Sequence, residues 1–133
     1  MPFVAIALNV GLLLAFFAIH QGVVRLIARR DGFRPIKHDL KRLGPVLAAY
    51  RWGSVRIGPS SRWGRTVNVT LFKNHIHLRL IKFFGGGEIL IPLDYASYSF
   101  SHWMHGEVVD ITVNGKTYAF GRDIARIAKQ YYC

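Results

Sequence analysis

A chain of 133 residues with 18 Lys and Arg against 7 Asp and Glu carries a formal net charge of +11, and it has room for one ordinary domain, or for one membrane helix plus a small domain. Repeat arrays and multidomain enzymes are excluded. Hydrophobic residues make up 51% of the chain and mean hydropathy is positive, so fat and charge must be segregated, and a basic surplus of this size implies an anionic partner, phospholipid head groups or nucleic acid.

The segregation begins at the N-terminus. From Pro2 to Ile19 the one polar residue is Asn9, and up to Val24 the one ionisable side chain is His20. At a rise of ~1.5 Å per residue, ~20 residues cross a hydrocarbon core of ~30 Å. Residues 1–30 therefore read as a transmembrane helix with a basic end. A cleaved export signal places positive charge before its apolar run and small residues at the cleavage site; here no Lys or Arg precedes the run, and AFFAIHQG sets Phe and Ile where small side chains belong. A small soluble domain has no interior for so long a helix that is apolar all round. Residues 25–51 then hold Arg25, Arg29, Arg30, Arg34, Lys37, Lys41, Arg42 and Arg51 against Asp31 and Asp39. The positive-inside bias places this flank in the cytoplasm and the N-terminus outside. Arg25, Arg29, Arg30 and Arg34 both set that topology and are candidate contacts for anionic lipid head groups, each worth about 1 kcal/mol near such a surface.

Asp31-Gly32 and Arg34-Pro35 end the helix, since the residue before proline is pushed out of the α region. Residues 31–51 read as a basic juxtamembrane linker with a short amphipathic helix, in which Ile36, Leu40 and Leu43 stand at helical spacing before a Gly44-Pro45 stop. From Trp52 the period changes to two. WGSVRIG is a first strand and PSSRWG a turn-rich link. RTVNVTLF and HIHLRLI form a hairpin with Val67, Val69, Leu71, Ile76, Leu78 and Leu80 facing inward. KFFGGGE is a turn, ILIP a strand closed by Pro92, and YSFSHW another strand. EVVDITV and KTYAFG are joined by Asn114-Gly115, a pair suited to the positive φ angles of a type I′ loop. DIARIAKQYY closes the chain as an amphipathic helix with Ile124, Ile127, Ala128 and Tyr131 on one face.

The fold expected is thus one N-terminal transmembrane helix plus a small mainly-β (α+β) domain over residues 52–133. It has about seven antiparallel strands as a bent sheet or partly open barrel, capped by one C-terminal helix. This order of strands and last helix resembles the pleckstrin-homology superfold, with its GRAM and bacterial branches. More narrowly, YRWGSVRIGPSSRW, VNVTLFKNHIHLRLIKFF and GGGEILIPLDYASYSF are similar to a group of small bacterial membrane-anchored proteins that pair one N-terminal span with such a domain. The resemblance covers residues 50–130 and implies an inner-membrane location. In phosphoinositide-binding members the loop between the first two strands carries basic residues; Arg62 and Arg65 match that placement and join the candidate head-group contacts.

No reaction is legible. The GGG at 85–87 is followed by Glu88 and a strand-like ILIP, not by the Lys-Ser/Thr and helix of a phosphate loop. His75, His77, His102 and His105 are weak candidate metal ligands, because Arg79 continues the face of His77 and neither a CxxC nor an HExxH backs them. The sparse acids Glu88, Asp94, Glu107, Asp110 and Asp123 offer no catalytic pair, and the single cysteine, Cys133, permits no intrachain disulfide. The expectation is a non-enzyme without metal or cofactor, acting as a protein-interaction or scaffold module, with an anionic-lipid-binding module as the alternative. Phe83, Phe84, Trp103 and Met104 are the candidate partner contacts. A membrane-protein partner or self-association fits the anchor; nucleic acid would explain the charge but not the span, and no RNP or helix-turn-helix signature appears.

Overall fold

The structure, a computed structural model, describes residues 2–59, 61–104 and 106–132. Helix α1 (Pro2–Asp31) is a single rod of 30 residues, about 45 Å long at ~1.5 Å per residue. The rest of the chain buries none of its most apolar stretch, and by length and composition the helix is able to cross a membrane. Its end is built as a Schellman motif: Gly32 takes φ +106°, its N–H donates to the Arg29 carbonyl at 3.2 Å, and the Phe33 N–H donates to the Ala28 carbonyl at 2.9 Å. The positive φ explains the glycine of Asp31-Gly32. Ala28 and Phe33 supply the apolar contact that accompanies this motif, and both are buried.

Seven antiparallel strands follow: β1 (Ala48–Ile57), β2 (Ser61–Leu71), β3 (His75–Leu80), β4 (Glu88–Pro92), β5 (Ser97–Trp103), β6 (Gly106–Val113) and β7 (Lys116–Gly121), then helix α2 (Arg122–Tyr132). They form one sheet in the order β4-β3-β2-β1-β7-β6-β5. β1 meets β7 through two residue pairs, Arg56 with Ala119 and Ile57 with Tyr118. The sheet bends at this narrow junction into a half-barrel, with α2 packed on β6 and β7. This is the layout the sequence predicts. Strict alternation works because one face is buried: Val67, Val69, Leu71, Ile76, Leu78 and Leu80 are each at most 1% exposed. Asn114 and Gly115 take φ of 51° and 78°, both positive as a type I′ turn requires.

Four local readings are corrected. β1 starts at Ala48, ahead of the expected Trp52, because register shifts between Tyr50 and Val55 bulge the strand and break its alternation. β2 starts at Ser61, inside the segment read as a turn, and buries Trp63. The juxtamembrane helix is one 3₁₀ turn, Leu40–Leu43, in which no residue is buried; without a core to bury its apolar face a longer helix gains nothing. The stripe of α2 is rotated: Ile124, Ala125 and Ala128 are buried, while Tyr131 remains 49% exposed. Tyr132 takes the inward place, its hydroxyl donating to the Phe72 carbonyl at 2.6 Å and its ring stacked on Tyr98 at 5.9 Å.

Candidate functional site

The last turns of α1 are fastened to the half-barrel by a buried polar latch. Asp31 is 5% exposed. Its carboxylate accepts a hydrogen bond from the Ser61 hydroxyl at 3.0 Å and one from the Trp63 indole Nε1–H at 2.8 Å. Arg30 donates to the same Ser61 oxygen at 3.0 Å and brings its Nε within 3.7 Å of the carboxylate. The Lys116 ammonium donates to the Asp31 carbonyl. A buried carboxylate is tolerated only when paired and hydrogen-bonded, and these donors meet that demand.

Above the latch, Phe17, Gln21, Val24, Ala28 and Asp31 recur at helical spacing along one face. Val24 and Ala28 join the core, and the Phe17 ring lies 5.9 Å from that of Phe83. Below it, Arg34 forms an isolated bridge with Glu88. The two backbone bonds, at 3.1 and 2.8 Å, cover the edge of β4.

Between α1 and the β3–β4 loop lies a groove of about 280 Å³ lined by Arg25, Arg29, Phe33, Leu80, Phe84 and Gly85 among others, none of them acidic. The loop is a 3₁₀ turn, Lys82–Phe84, followed by Gly85 and Gly86 at φ +119° and +66°. A Cβ on Gly87 would come within 3.0 Å of the Phe33 backbone, so a glycine there lets loop and helix end close together.

The six candidate arginines are thereby divided. Arg25 and Arg29 line the groove, and Arg30 joins the latch. Arg34 is exposed at the β4 edge. Arg62 is exposed opposite Arg56, and Arg65, exposed at φ +52°, donates its backbone N–H to Ser54 at 2.9 Å. Of the candidate partner contacts, Phe83 is 54% exposed, Phe84 packs against the core, and Met104 stands free at the β5–β6 turn. The side chain of Trp103 and the whole of His105 lie outside the described residues.

A second hollow, of about 400 Å³, lies between the juxtamembrane segment and the outer face of β1 to β4. Lys37, His38, Arg51, Asn68, Arg79 and the pair His77 and Glu88 are in its wall. His77 is 3% exposed, and its Nε2 lies 2.6 Å from the Glu88 carboxylate. Burial lowers the His77 pKa and outweighs the opposing pull of Glu88. The pair is thus a hydrogen bond from a neutral imidazole to a carboxylate. Among the described residues, no nucleophile is hydrogen-bonded to His77, and no three His, Cys, Asp or Glu come close enough to hold a metal. His75 and His77 share β3, whereas His102 is on β5, five places away in the sheet.

Sequence reasoning missed the latch and this basic cleft, because their members come from segments far apart in the chain. It also missed Trp52, whose N–H donates to Asn68 Oδ1 at 3.3 Å beside the cleft, and whose side chain is 61% exposed. Comparison with protein-family models, with curated proteins and with solved structures finds no match for this chain.

Proposed function

We propose that this chain is a single-pass protein of a bacterial inner membrane, N-terminus outside, whose cytoplasmic half-barrel is a non-enzymatic interaction or scaffold module, an accessory subunit of a membrane complex. The observation that carries this reading is the Asp31 latch. It ties the end of an exposed apolar helix to Ser61, Trp63 and Lys116 of the sheet, giving the domain a set pose against the bilayer. A scaffold that presents one face to a membrane-embedded partner requires such a pose; a free catalytic domain does not. The positive flank of α1 supports the orientation, and the half-barrel with its closing helix is the arrangement that the pleckstrin-homology resemblance implies.

The face presented is the cleft lined by Arg51 and Asn68, the latter accepting a hydrogen bond from the Trp52 backbone N–H. A non-glycine residue held at φ +56° persists only where the surroundings over-determine it, and a Trp exposed beside Arg51 has the composition of a recognition surface. Its cations select an acidic segment of the partner. The test is a photocrosslinking residue in place of Trp52 in intact cells, with Lys73 at the β2–β3 turn as the comparison site. A discrete adduct from position 52 and none from 73 is expected. Absence of any adduct at 52, in membranes from which carbonate does not release the protein, overturns the reading. A reporter fused after residue 133 should fluoresce as a cytoplasmic protein and show no periplasmic phosphatase activity.

A further inference from the structure

We infer that the groove between α1 and the β3–β4 loop holds the phosphate-bearing head group of an anionic phospholipid from the leaflet that faces the half-barrel. This deepens the membrane reading and rests on α1 being a span. A span of ~20 residues from Pro2 ends near Gln21. Arg25 and Arg29 then stand about 6 and 12 Å beyond the hydrocarbon edge at ~1.5 Å per residue, the level of head groups. They are one turn apart on the groove side of the helix.

Among the described residues neither has a counter-charge. Among the described residues, Arg30, Arg42, Arg56 and Arg126 each lie within ion-pair distance of an aspartate, whereas Arg25 and Arg29 make no ion pair and no side-chain hydrogen bond. A guanidinium fork matches a phosphodiester bidentately, and two of them converging on a hollow without carboxylates form an anion site.

The rest of the wall says which anion. Phe33, Leu80 and Phe84 line it, and immediately beside it the Phe17 and Phe83 rings stand 5.9 Å apart, at a depth where acyl chains pass. The groove offers about 280 Å³ to a phosphoglycerol group, with its chains left outside. A free phosphate or nucleotide would leave the apolar wall unused.

The test uses the full chain in nanodiscs of equal phosphatidylglycerol and phosphatidylcholine, with retained lipid read by native mass spectrometry. Phosphatidylglycerol should be retained preferentially, and excess inorganic phosphate should leave it in place. The Arg25→Gln/Arg29→Gln variant should lose retention by at least about ten-fold, the least expected from removing hydrogen bonds to a charged group. Lys41→Gln/Arg42→Gln, which removes the same charge away from the groove, should retain it. Equal retention of the two lipids, displacement by phosphate, or equal losses in the two variants overturns the proposal. Carbonate extraction separates the failures: protein that stays in the membrane without selecting lipid refutes the groove alone, and protein that is released refutes the span itself.

Discussion

The two helices close the same half-barrel by opposite means. α2 is 11 residues long and buries Ile124, Ala125 and Ala128 against the sheet. α1 is 30 residues long and leaves Leu12, Leu13, Leu14 and Phe16 more than half exposed, contributing to the protein little more than Val24, Ile27 and Ala28 and one carboxylate. Hydrophobic burial is non-directional and stabilises whatever is buried. A hydrogen-bonded carboxylate is directional and fixes orientation. α2 therefore supplies stability, and α1, whose most apolar stretch the rest of the chain leaves uncovered, supplies pose.

The strongest way to break this contrast is to put a charge in the α2 seam. Ala128 is fully buried, and Ala128→Glu would place a carboxylate there without a partner, at a cost above about 4 kcal/mol. The expected result is loss of cooperative unfolding in detergent, followed by near-ultraviolet circular dichroism, with α1 still inserted. Asp31→Ala ranks next. It orphans the buried Trp63 N–H and Ser61 hydroxyl at about 3 kcal/mol in all. Its signature is a gain of protease cleavage in the segment between Gly32 and Leu47, together with a lower denaturation midpoint. Asp31→Asn, which keeps an acceptor oxygen, should lose about half as much. If Asp31→Ala changed neither readout, the latch would not be what holds the domain to the helix.

How much of this could be read beforehand follows from the range of the interactions. Val67 to Leu80 alternates because neighbours one strand away define its two faces, so the hairpin and its inward set are local and legible. The Asn114-Gly115 turn is legible for the same reason. β1 is not, since its bulge at Trp52 answers to Asn68 and Gly53 answers to Val67. Asp31 reads locally as half of a helix stop; its bonds to Ser61 and Trp63 span about thirty residues and leave no periodic trace. Arg25 and Arg29 were visible as charges, but their separation from Arg30, Arg62 and Arg65 needs the loop at Gly85 to be placed.

A smaller effect sharpens the comparison on the side of the sheet that neither helix covers. His77 has its pKa lowered from 6.5, first by burial, with Glu88 opposing and His38 and Arg79 adding to the shift. The unfolded chain therefore binds this proton more readily than the folded one, and stability rises with pH across the interval. The contribution is complete above about 6.5 and is lost as pH falls through the lower folded value. His77→Gln should flatten this part of the profile of denaturation midpoint against pH. Identical profiles for wild type and variant would show that the imidazole is not held neutral beneath the juxtamembrane segment.

The smallest expected effect on stability bears most directly on the proposed boundary between α1 and a bilayer. Phe83 packs on Phe17, a residue about one helical turn, ~6 Å, inside the proposed span that ends near Gln21. The proposed span thus places the tip of a loop belonging to the half-barrel at the depth of acyl chains. Phe83→Trp keeps an aromatic contact with Phe17, and because Phe83 is 54% exposed the extra ring volume meets no packed wall, so stability should change by less than about 0.5 kcal/mol. Fluorescence should change far more. In vesicles whose acyl chains carry bromine, the added indole should be quenched beyond the level set by the three native tryptophans, and Phe84→Trp, facing the core, should be quenched less. Equal quenching of the Phe83→Trp variant and the parent would lift the loop out of the membrane and leave α1 as its sole contact with the bilayer.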